Sequence, residues 1–336
     1  MPKAEIHLHF EGTVGAKAIL RMGRKYGVDE IRTRSDAEWL LYFDHPQMFF
    51  QNFLFVSSLL RSEEDFFEAA LELGTRFAEE NIRYAEITIA PQKFMRAGVP
   101  YPRMLEAIDA GLREAPQSAR RDYRYIIDIV RDLGPEIGME TMRAVEKHPH
   151  ERVAGIGLGG GENYPAELSK EVFEFAAALG LRKTAHAGEG CGPLSVWSAI
   201  RSLGVERIDH GVRSREDPKL VDYLAARQMP LNLCLTSNLM LGVTPSLWEH
   251  PLRYYHERGI PVNLSTDDPA FFKTTLSQEL ELAVIHRQIE LEQIPEFMQN
   301  ALRASFLPEA EKRAFLTEFV SETEALRQAQ PLRAES

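Results

Sequence analysis

The chain has 336 residues, of which 44% are hydrophobic and 26% charged, proportions typical of a globular protein. Its formal net charge is -11 and it has no run of lysines or arginines, which argues against nucleic acid or an anionic membrane surface as a partner. Two cysteines, Cys191 and Cys234, are too few for a disulfide framework. Without a signal peptide or an apolar stretch of membrane-spanning length, we expect a cytoplasmic protein.

The first predicted strand carries two histidines. In MPKAEIHLHFEGT, apolar residues alternate with His7 and His9. Because side chains alternate across a strand, both imidazoles point to one face. Two neutral imidazoles converging from one strand supply half of a zinc or iron site, although a buried, hydrogen-bonded pair would give the same pattern.

A long insert, about residues 14–81, separates the first strand from the second. It contains WLLYFDHPQMFFQNFLFVSSLL, which is dense in Phe, Leu and Met. One or two core-packing helices explain most of these residues.

Seven further apolar, β-branched runs follow the insert, with helical stretches between them. With the first, the predicted strands are Ala4–His9, Arg83–Ala90, Tyr123–Val130, Val153–Gly159, Arg182–Gly188, Arg207–His210, Pro230–Leu235 and Pro261–Asp267. Amphipathic helices are predicted over Glu63–Asn81, Ser169–Leu179, Pro193–Leu203 and Pro218–Arg227.

Strands alternating with helices indicate βαβ units and a parallel sheet. Eight units over this length predict an α/β fold of the (β/α)8 TIM-barrel type, with a helical insert after strand 1, as a single domain over residues 1–336. A doubly wound sheet is the alternative. It normally has a Gly-rich phosphate loop after its first strand, which HFEGTVGAK matches poorly.

The insert and the C-terminal segment add to this barrel. A first insert lies over the barrel face where active sites form, so we expect an apolar lid from some of Phe49, Phe50, Phe53 and Leu54. The segment from about 321 to 336 is polar and is expected to be a helical or frayed tail.

The unusual polar residues fall at the carboxyl ends of four predicted strands. Two histidines end the first strand, HAGEG the fifth, RIDHG the sixth and STDDP the eighth. Individually, Asp267 or Asp268 would serve as a helix cap and His210 as a hydrogen-bonded core histidine. Side chains at the carboxyl ends of barrel strands converge on one pocket, however, and their common position favours a metal site.

The predicted ligands are three imidazoles and one carboxylate: His7, His9, His186 and Asp267. With a water they suit one divalent metal, most simply one Zn²⁺ per chain. Zinc lowers the pKa of bound water to about 7 and so gives hydroxide at neutral pH. His210 is then available to hold this water, Glu189 to donate a proton, and Asp268 to bind the water or a ring nitrogen.

In order, HLHFEGT, GLGGGE, HAGEG, RIDHG, TSN and STDDP resemble the motifs of the adenosine deaminase family of the amidohydrolase superfamily. The resemblance covers nearly the whole chain and implies a small purine substrate that loses ammonia from C6. It implies that the four ligands hold zinc, that Glu189 protonates N1 and that His210 orients the attacking hydroxide. It also implies that Asp268 binds N7 and that the backbone N–H of Gly160 meets N3.

The motifs depart from this family at the end that would hold the ribose. Adenosine deaminases usually have an aspartate two residues after the second histidine, where it contacts the 5′-hydroxyl; Glu11 stands here, as in adenine deaminases and other relatives. The loop GLGGGE keeps Gly160 but lacks the flanking aspartates of adenosine deaminases and the serine common in adenine deaminases. We expect adenosine or a 5′-modified adenosine such as aminodeoxyfutalosine as the substrate, with free adenine as the alternative.

Three other classes fit the sequence less well. Cytidine-type zinc deaminases use H-x-E with P-C-x-x-C, which is absent. Binuclear amidohydrolases usually need a carboxylated lysine where this chain has Leu158, Gly159 and Gly160. A non-catalytic, ligand-binding barrel would not need Glu189 and His210 beside the ligands.

The remaining histidines and cysteines give weaker signals. His148 and His150 repeat the H-x-H spacing, but polar neighbours indicate a surface loop rather than a second metal site. His250 lies in a loop or helix without an evident partner, and Cys191 is expected to be an inert thiol. Nothing in the pattern specifies an oligomeric state.

Overall fold

In the computed structural model, which describes residues 1–286 and 288–329, eight parallel strands form a nearly closed barrel surrounded by helices. In pairing order the strands are β1 Lys3–His9, β2 Ile82–Ile89, β3 Asp122–Val130, β4 Val153–Gly159, β5 Arg182–Ala187, β6 Arg207–His210, β7 Leu231–Leu233 and β8 Val262–Leu264. A bridge between Leu8 and Asp267 joins the first and last parts of the barrel. The predicted (β/α)8 barrel is confirmed.

The last two strands are shorter than the sequence indicates. The sequence predicts that these strands continue to Leu235 and to Asp267. Instead, the chain turns into a helix at Leu235, and Asp267 has a φ of 64°, which takes it out of an extended strand. Polar residues predicted at the end of strand eight therefore lie on the loop that follows it.

Four helices occupy the insert: α1 Ala16–Tyr26, α2 Arg34–Trp39, α3 Pro46–Ser57 and α4 Glu63–Glu79. The start of α4 is fixed by a capping box, in which Ser62 and Asp65 satisfy each other's backbone N–H groups. On α3, Phe49 packs against Phe271 and Phe272, with ring centroids 5.5 and 5.3 Å apart. Since these two phenylalanines closely follow β8, α3 lies at the carboxyl end of the barrel.

The later strands are followed by helices α5 Pro91–Arg96, α6 Tyr101–Glu114, α7 Pro135–Lys147, α8 Lys170–Ala178, α9 Pro193–Ser198, α10 Pro218–Arg227, α11 Leu235–Met240, α12 Leu252–Glu257, α13 Pro269–Phe272, α14 Leu276–Ile285, α15 Ile294–Ala304 and α16 Glu309–Ala329. After α9 the chain widens into a π-helix over Ala199–Leu203. Residues 321–329 of the predicted tail belong to α16, and 330–336 lie outside the described residues.

The opposite end of the barrel is closed by buried side chains. Arg207 of β6 forms an ion pair with Glu86 of β2 at 2.5 Å, and Tyr84 donates to the same carboxylate at 2.7 Å. All three side chains are at most 1% exposed. Within the described part of the chain, no helix has the length and apolar character needed to cross a membrane.

Candidate active site

Three imidazoles and a carboxylate converge inside the barrel at the ends of β1, β5 and β8. The His9 Nε2 atom lies 3.1 Å from His186 Nε2 and 3.3 Å from Asp267 Oδ1. His7 Nε2 lies 3.3 Å from the same Asp267 oxygen. Tetrahedral coordination with bonds of about 2.0–2.1 Å places ligand atoms about 3.3 Å apart, so this spacing fits a metal site.

The proton positions of two imidazoles also favour a cation. His7 Nδ1 is 3.3 Å from Asp209 Oδ1, and His186 Nδ1 is 3.2 Å from the Leu158 carbonyl oxygen. Both partners only accept hydrogen bonds, so Nδ1 carries the proton and Nε2 presents a lone pair. The buried His7 Nε2 has no hydrogen-bond partner among the described residues and faces a carboxylate oxygen of Asp267. A metal ion satisfies both electron-rich atoms.

His210 has a different hydrogen-bond pattern. The Asn238 amide nitrogen lies 3.2 Å from His210 Nδ1, and Asn238 Oδ1 lies 3.2 Å from His250 Nε2. The Leu252 N–H donates to His250 Nδ1 at 3.2 Å, which places the His250 proton on Nε2. Asn238 therefore donates to His210, whose own proton lies on Nε2. His210 Nε2 is thus a hydrogen-bond donor. Its distance of 3.9 Å from Asp267 Oδ2 is too long for a hydrogen bond between them.

Geometry alone would group His210 with the metal ligands. One ligand atom from each of His7, His186, His210 and Asp267 lies within 4.8 Å of the others. Burial lowers the pKa of His210 to about 4, so the ring is neutral and keeps its single proton. His9 Nε2, however, lies 3.3 Å from Asp267 Oδ1, whereas His210 Nε2 lies 3.9 Å from Asp267 Oδ2. The predicted ligand set with His9 stays a prediction.

Glu189 lies beside His210 on the loop that follows β5. Its Oε1 atom is 3.5 Å from His210 Nδ1 and has no hydrogen-bond partner within residues 1–286 and 288–329. Burial raises the pKa of Glu189 well above its ordinary value, and the carboxylates of Asp267 and Glu162 raise it further. A carboxyl group that keeps its proton near neutral pH can serve as an acid.

Glu162 is a functional residue that the sequence analysis missed. Its carboxylate accepts hydrogen bonds from the N–H groups of Gly188, Glu189 and Gly190, each at 2.8 Å, and from the Ser195 hydroxyl. Glu162 therefore fixes the loop that carries Glu189. In the motif GLGGGE, the sequence analysis considered only Gly160. The signal that could have identified Glu162 is an acidic residue shortly after the end of a strand.

The carboxyl group of Asp268, next to Asp267 in the sequence, packs closely against Gly12. A Cβ atom on Gly12 would lie 1.9 Å from Asp268 Oδ1, so a larger residue at position 12 would displace this carboxyl. Burial raises the pKa of Asp268 to about 8, and the Asp267 carboxylate contributes to the shift. Its Oδ1 has no hydrogen-bond partner in the described part of the chain.

Gly160 follows β4 with a φ of 84°, a conformation that favours glycine. A Cβ atom there would lie 2.1 Å from Asp132 Oδ2, which instead accepts the Gly161 N–H at 2.7 Å. The turn at Gly160 is therefore closely fitted to this aspartate.

Glu11 is buried, with 1% exposure, in the loop after β1. Its Oε1 accepts the Ala90 N–H at 3.1 Å and lies 3.8 Å from Lys93 Nζ, which was not predicted at the site. Its Oε2 atom has no partner among the described residues. The Lys93 ammonium lies 4.9 Å from the centre of the Phe53 ring on α3, so the insert borders this end of the site.

Other expectations have mixed outcomes. His148 and His150 lie on a loop, as predicted; His148 is exposed, whereas His150 is half-buried and lies 3.3 Å from Asp109 Oδ2. His250 is buried and bonded to Asn238, so the expectation that it lacks a partner is wrong. In the insert, Phe50 and Leu54 are 52% and 59% exposed, whereas Phe49 is in the core. The predicted lid stays a prediction.

Comparison with known proteins gives one consistent result. The chain matches the sequence model of the adenosine deaminase family over residues 2–322. It is 35% identical to an adenine deaminase of Streptomyces coelicolor over 97% of this chain and 96% of the relative. It is 32% identical to an aminodeoxyfutalosine deaminase of Streptomyces avermitilis over 97% and 92% of the two chains.

A solved structure of an amidohydrolase from Burkholderia ambifaria, with bound zinc, has the same fold with a TM-score of 0.87. It is 28% identical in sequence, and the match covers 98% of this chain and 92% of that one. The chain therefore belongs to the adenosine deaminase family of hydrolytic enzymes.

Proposed function

We propose that this protein is a zinc-dependent aminohydrolase that replaces the 6-amino group of an adenine nucleoside with oxygen and releases ammonia. The observation that carries this proposal is the convergence of four ligand atoms, of which three pairs are 3.1–3.3 Å apart, next to an acid and a neutral imidazole. Zinc bound in the Burkholderia ambifaria relative supports the choice of metal.

His7, His9, His186 and Asp267 would hold the metal. When bound, zinc would polarise a water and lower its pKa toward neutrality. Asp209 and the Leu158 carbonyl fix the protons on two of the imidazoles, which keeps their lone pairs directed inward. Ser237 donates to Asp267 Oδ2 at 2.7 Å and holds the carboxylate in place.

Three side chains would then handle the substrate and its protons. His210, through its Nε2 proton, orients the attacking water, and Asp268 accepts from this water and binds N7 of the ring. Glu189 gives its proton to N1, so that C6 becomes more electrophilic and electron density flows to the ring as the C–O bond forms. The C–N bond to the amino group then breaks, and this group leaves as ammonia after taking up the proton that the attacking water lost. The hydroxyl on C6 returns its proton to Glu189 as the C6 carbonyl forms.

Substrate choice depends on the end of the site remote from C6. One Glu11 oxygen is already bonded to Ala90, while the other is buried and unpartnered within the described residues. A hydroxyl or another donor of a ribose-bearing substrate would satisfy this oxygen. We therefore propose adenosine or a 5′-modified adenosine, such as aminodeoxyfutalosine, as the substrate, with Gly160 facing N3.

Free adenine is the second candidate. It is supported by the relative from Streptomyces coelicolor, whose identity of 35% is close to the 32% of the aminodeoxyfutalosine deaminase. These identities are too similar to separate the two substrates.

A panel of ammonia-release assays tests both proposals. Zinc-loaded protein is assayed with adenine, adenosine, 2′-deoxyadenosine and 5′-substituted adenosines, and metal content is measured in parallel. We expect about one zinc per chain and the highest kcat/KM with a nucleoside. A preference for adenine above tenfold over every nucleoside would overturn the nucleoside assignment, whereas full activity in metal-free protein would overturn the metal assignment.

A further inference from the structure

Asp128 of β3 is a buried carboxyl group that the proposed reaction does not use. Asp128 is only 4% exposed, and its Oδ1 atom has no hydrogen-bond partner among residues 1–286 and 288–329. A buried carboxylate oxygen without a hydrogen-bond donor is costly, so its presence in the barrel requires an explanation.

The neighbouring strand is shaped around this carboxyl. Asp128 pairs with Gly157 of β4, and a Cβ atom on Gly157 would lie 2.6 Å from Asp128 Oδ1. A Cβ atom on Gly159 would lie 2.2 Å from Oδ2. Because glycine weakens a strand, two glycines on the same face indicate that close approach has a use here. Any larger residue at either position would push the carboxyl away.

Strand register places Asp128 on the face that carries the histidines. His9 pairs with Thr88, and Thr88 pairs with Ile126, two residues before Asp128. Since strand side chains alternate with a period of two, Asp128 points into the barrel as His9 does. His9 and Glu11 are also close enough to shift its pKa, which burial raises to about 7.

Asp128 lies two strands from His9, on the side of β1 that faces away from β8. The metal ligands, Glu189 and His210 lie at the ends of β1, β5, β6 and β8, where C6 and N1 would be held. Asp128 is on β3, beside the strand whose end would hold N3 through Gly160. This side of the chamber receives the part of a purine that bears N9 and its substituent.

We propose that Asp128 binds a hydrogen-bond donor on this remote part of the substrate and so helps to select it. The inference rests on the proposed deaminase function and adds a specificity-determining residue to it. The donor is an O–H of the ribose if the substrate is a nucleoside, or the N9–H if it is free adenine. Both groups can donate a hydrogen bond to a carboxylate, and substrate analogues that lack one of them distinguish the two.

The test combines protein variants with substrate analogues. Zinc-loaded wild type, Asp128→Asn and Asp128→Ala are assayed with adenosine, 2′-deoxyadenosine, 3′-deoxyadenosine and adenine. For substrates that carry the donor, we expect Asp128→Ala to lower kcat/KM by about 10- to 100-fold, mainly through KM. Asp128→Asn, which keeps one carbonyl acceptor, should lose less. On the analogue without the donor, the loss should shrink to about threefold or less.

A matched control separates binding from a general loss of structure. Asp109 is a second buried aspartate, bonded to Tyr123 and Tyr125 near the start of β3 and away from the ligand cluster. Asp109→Asn should leave the pattern of substrate preference unchanged, even if it lowers Tm. Calorimetric binding of inosine, the nucleoside product, gives a readout independent of turnover. If the donor is a ribose O–H, Asp128→Ala should weaken this binding by the same factor.

The outcomes are distinguishable. An equal loss on all four substrates would overturn the role of Asp128 while leaving the deaminase intact, and so would unchanged inosine binding in Asp128→Ala when adenosine suffers the full loss. If adenine suffers the full loss and the deoxynucleosides do not, the donor is N9–H, and the binding role stands. Absence of ammonia release by wild type from every substrate would contradict the proposed function, and inosine binding would still decide the case of Asp128.

Discussion

Two residues of the candidate active site have a positive φ, which residues other than glycine rarely adopt. His210 has a φ of 68° and Asp267 a φ of 64°. Each such conformation costs about 1–3 kcal/mol and persists only where the surroundings impose it. At Asp267 the surroundings are β1, because the Asp267 N–H donates to His7 O at 3.2 Å and its carbonyl accepts the His9 N–H at 2.9 Å. The backbone itself therefore sets the angle at which these side chains enter the chamber.

Glu189, the proposed proton donor, is the most direct target for mutation. Glu189→Gln keeps the size of the side chain but removes its acidic proton, so we expect zinc binding and Tm to be nearly unchanged and kcat to fall at least about 100-fold. Steady-state kinetics and metal analysis on the same preparations check this. Turnover within about threefold of wild type would show that another group protonates the ring.

Glu162 should act on the reaction through the loop it holds. The Glu162 carboxylate accepts three backbone N–H bonds with its two oxygens. In Glu162→Gln one oxygen is replaced by an NH2 group, which cannot accept them. We expect kcat to fall by about 10-fold or more while zinc content stays near wild type, because Glu189 loses its fixed position. A fall in zinc content that matches the fall in kcat would instead indicate general damage to the site.

The sequence analysis proposed side chains that would act on the metal or the substrate, but it did not identify the side chains that hold them in position. Asp209 lies inside the motif RIDHG, directly before His210, yet its contact with His7 joins β6 to β1 and leaves no spacing signal. The link from His250 through Asn238 to His210 likewise joins separate loops. Such contacts arise from barrel closure, so a linear pattern does not reveal them.

At the level of elements, strand positions were predictable because each is a short apolar run between helices. Their ends were not, since an apolar run continues where the chain has already turned, as at Cys234 before α11. The widening of the chain into a π-helix over Ala199–Leu203 had no signal in the amphipathic pattern of Pro193–Leu203 either. Tertiary packing decides both features.

The capping box of α4 should give the insert a pH-dependent stability. The Asp65 carboxylate accepts from the backbone N–H groups of Arg61 and Ser62, the Tyr26 hydroxyl and the Lys25 ammonium. Although burial alone would raise it, these hydrogen bonds together lower the pKa of Asp65 below its ordinary value. Its stabilising contribution is therefore complete above the unfolded pKa of about 4 and is lost as the pH falls through the folded pKa.

We expect Asp65→Asn to lower the free energy of unfolding by about 1–2 kcal/mol at pH 7. Urea unfolding of wild type and variant from pH 7 to pH 3 measures the difference. This difference should shrink toward the acidic end, where the wild-type carboxyl also becomes protonated. A difference that is constant with pH would mean that shape, and not charge, provides the stabilisation.

For the whole molecule, the proposed metal should also stabilise the fold. A ligand that binds only the native state at about 100 times its Kd adds about 2.7 kcal/mol, which corresponds to a rise in Tm of a few degrees. We expect zinc to raise the Tm of chelator-treated wild type and to leave that of His186→Ala unchanged. Scanning calorimetry with and without zinc decides this, and an equal rise in the variant would place the stabilising ion elsewhere.

The bridge between Leu8 and Asp267 also sets an order of events during synthesis. A growing chain presents the imidazoles of β1 first, but the carboxylate that completes their cluster emerges only when four-fifths of the protein has been made. Bringing these distant segments together is entropically costly, and the cost is met by pairing of the strands between them. Capture of the proposed metal ion would therefore be a late event, which would distinguish a folded barrel from a shorter nascent chain.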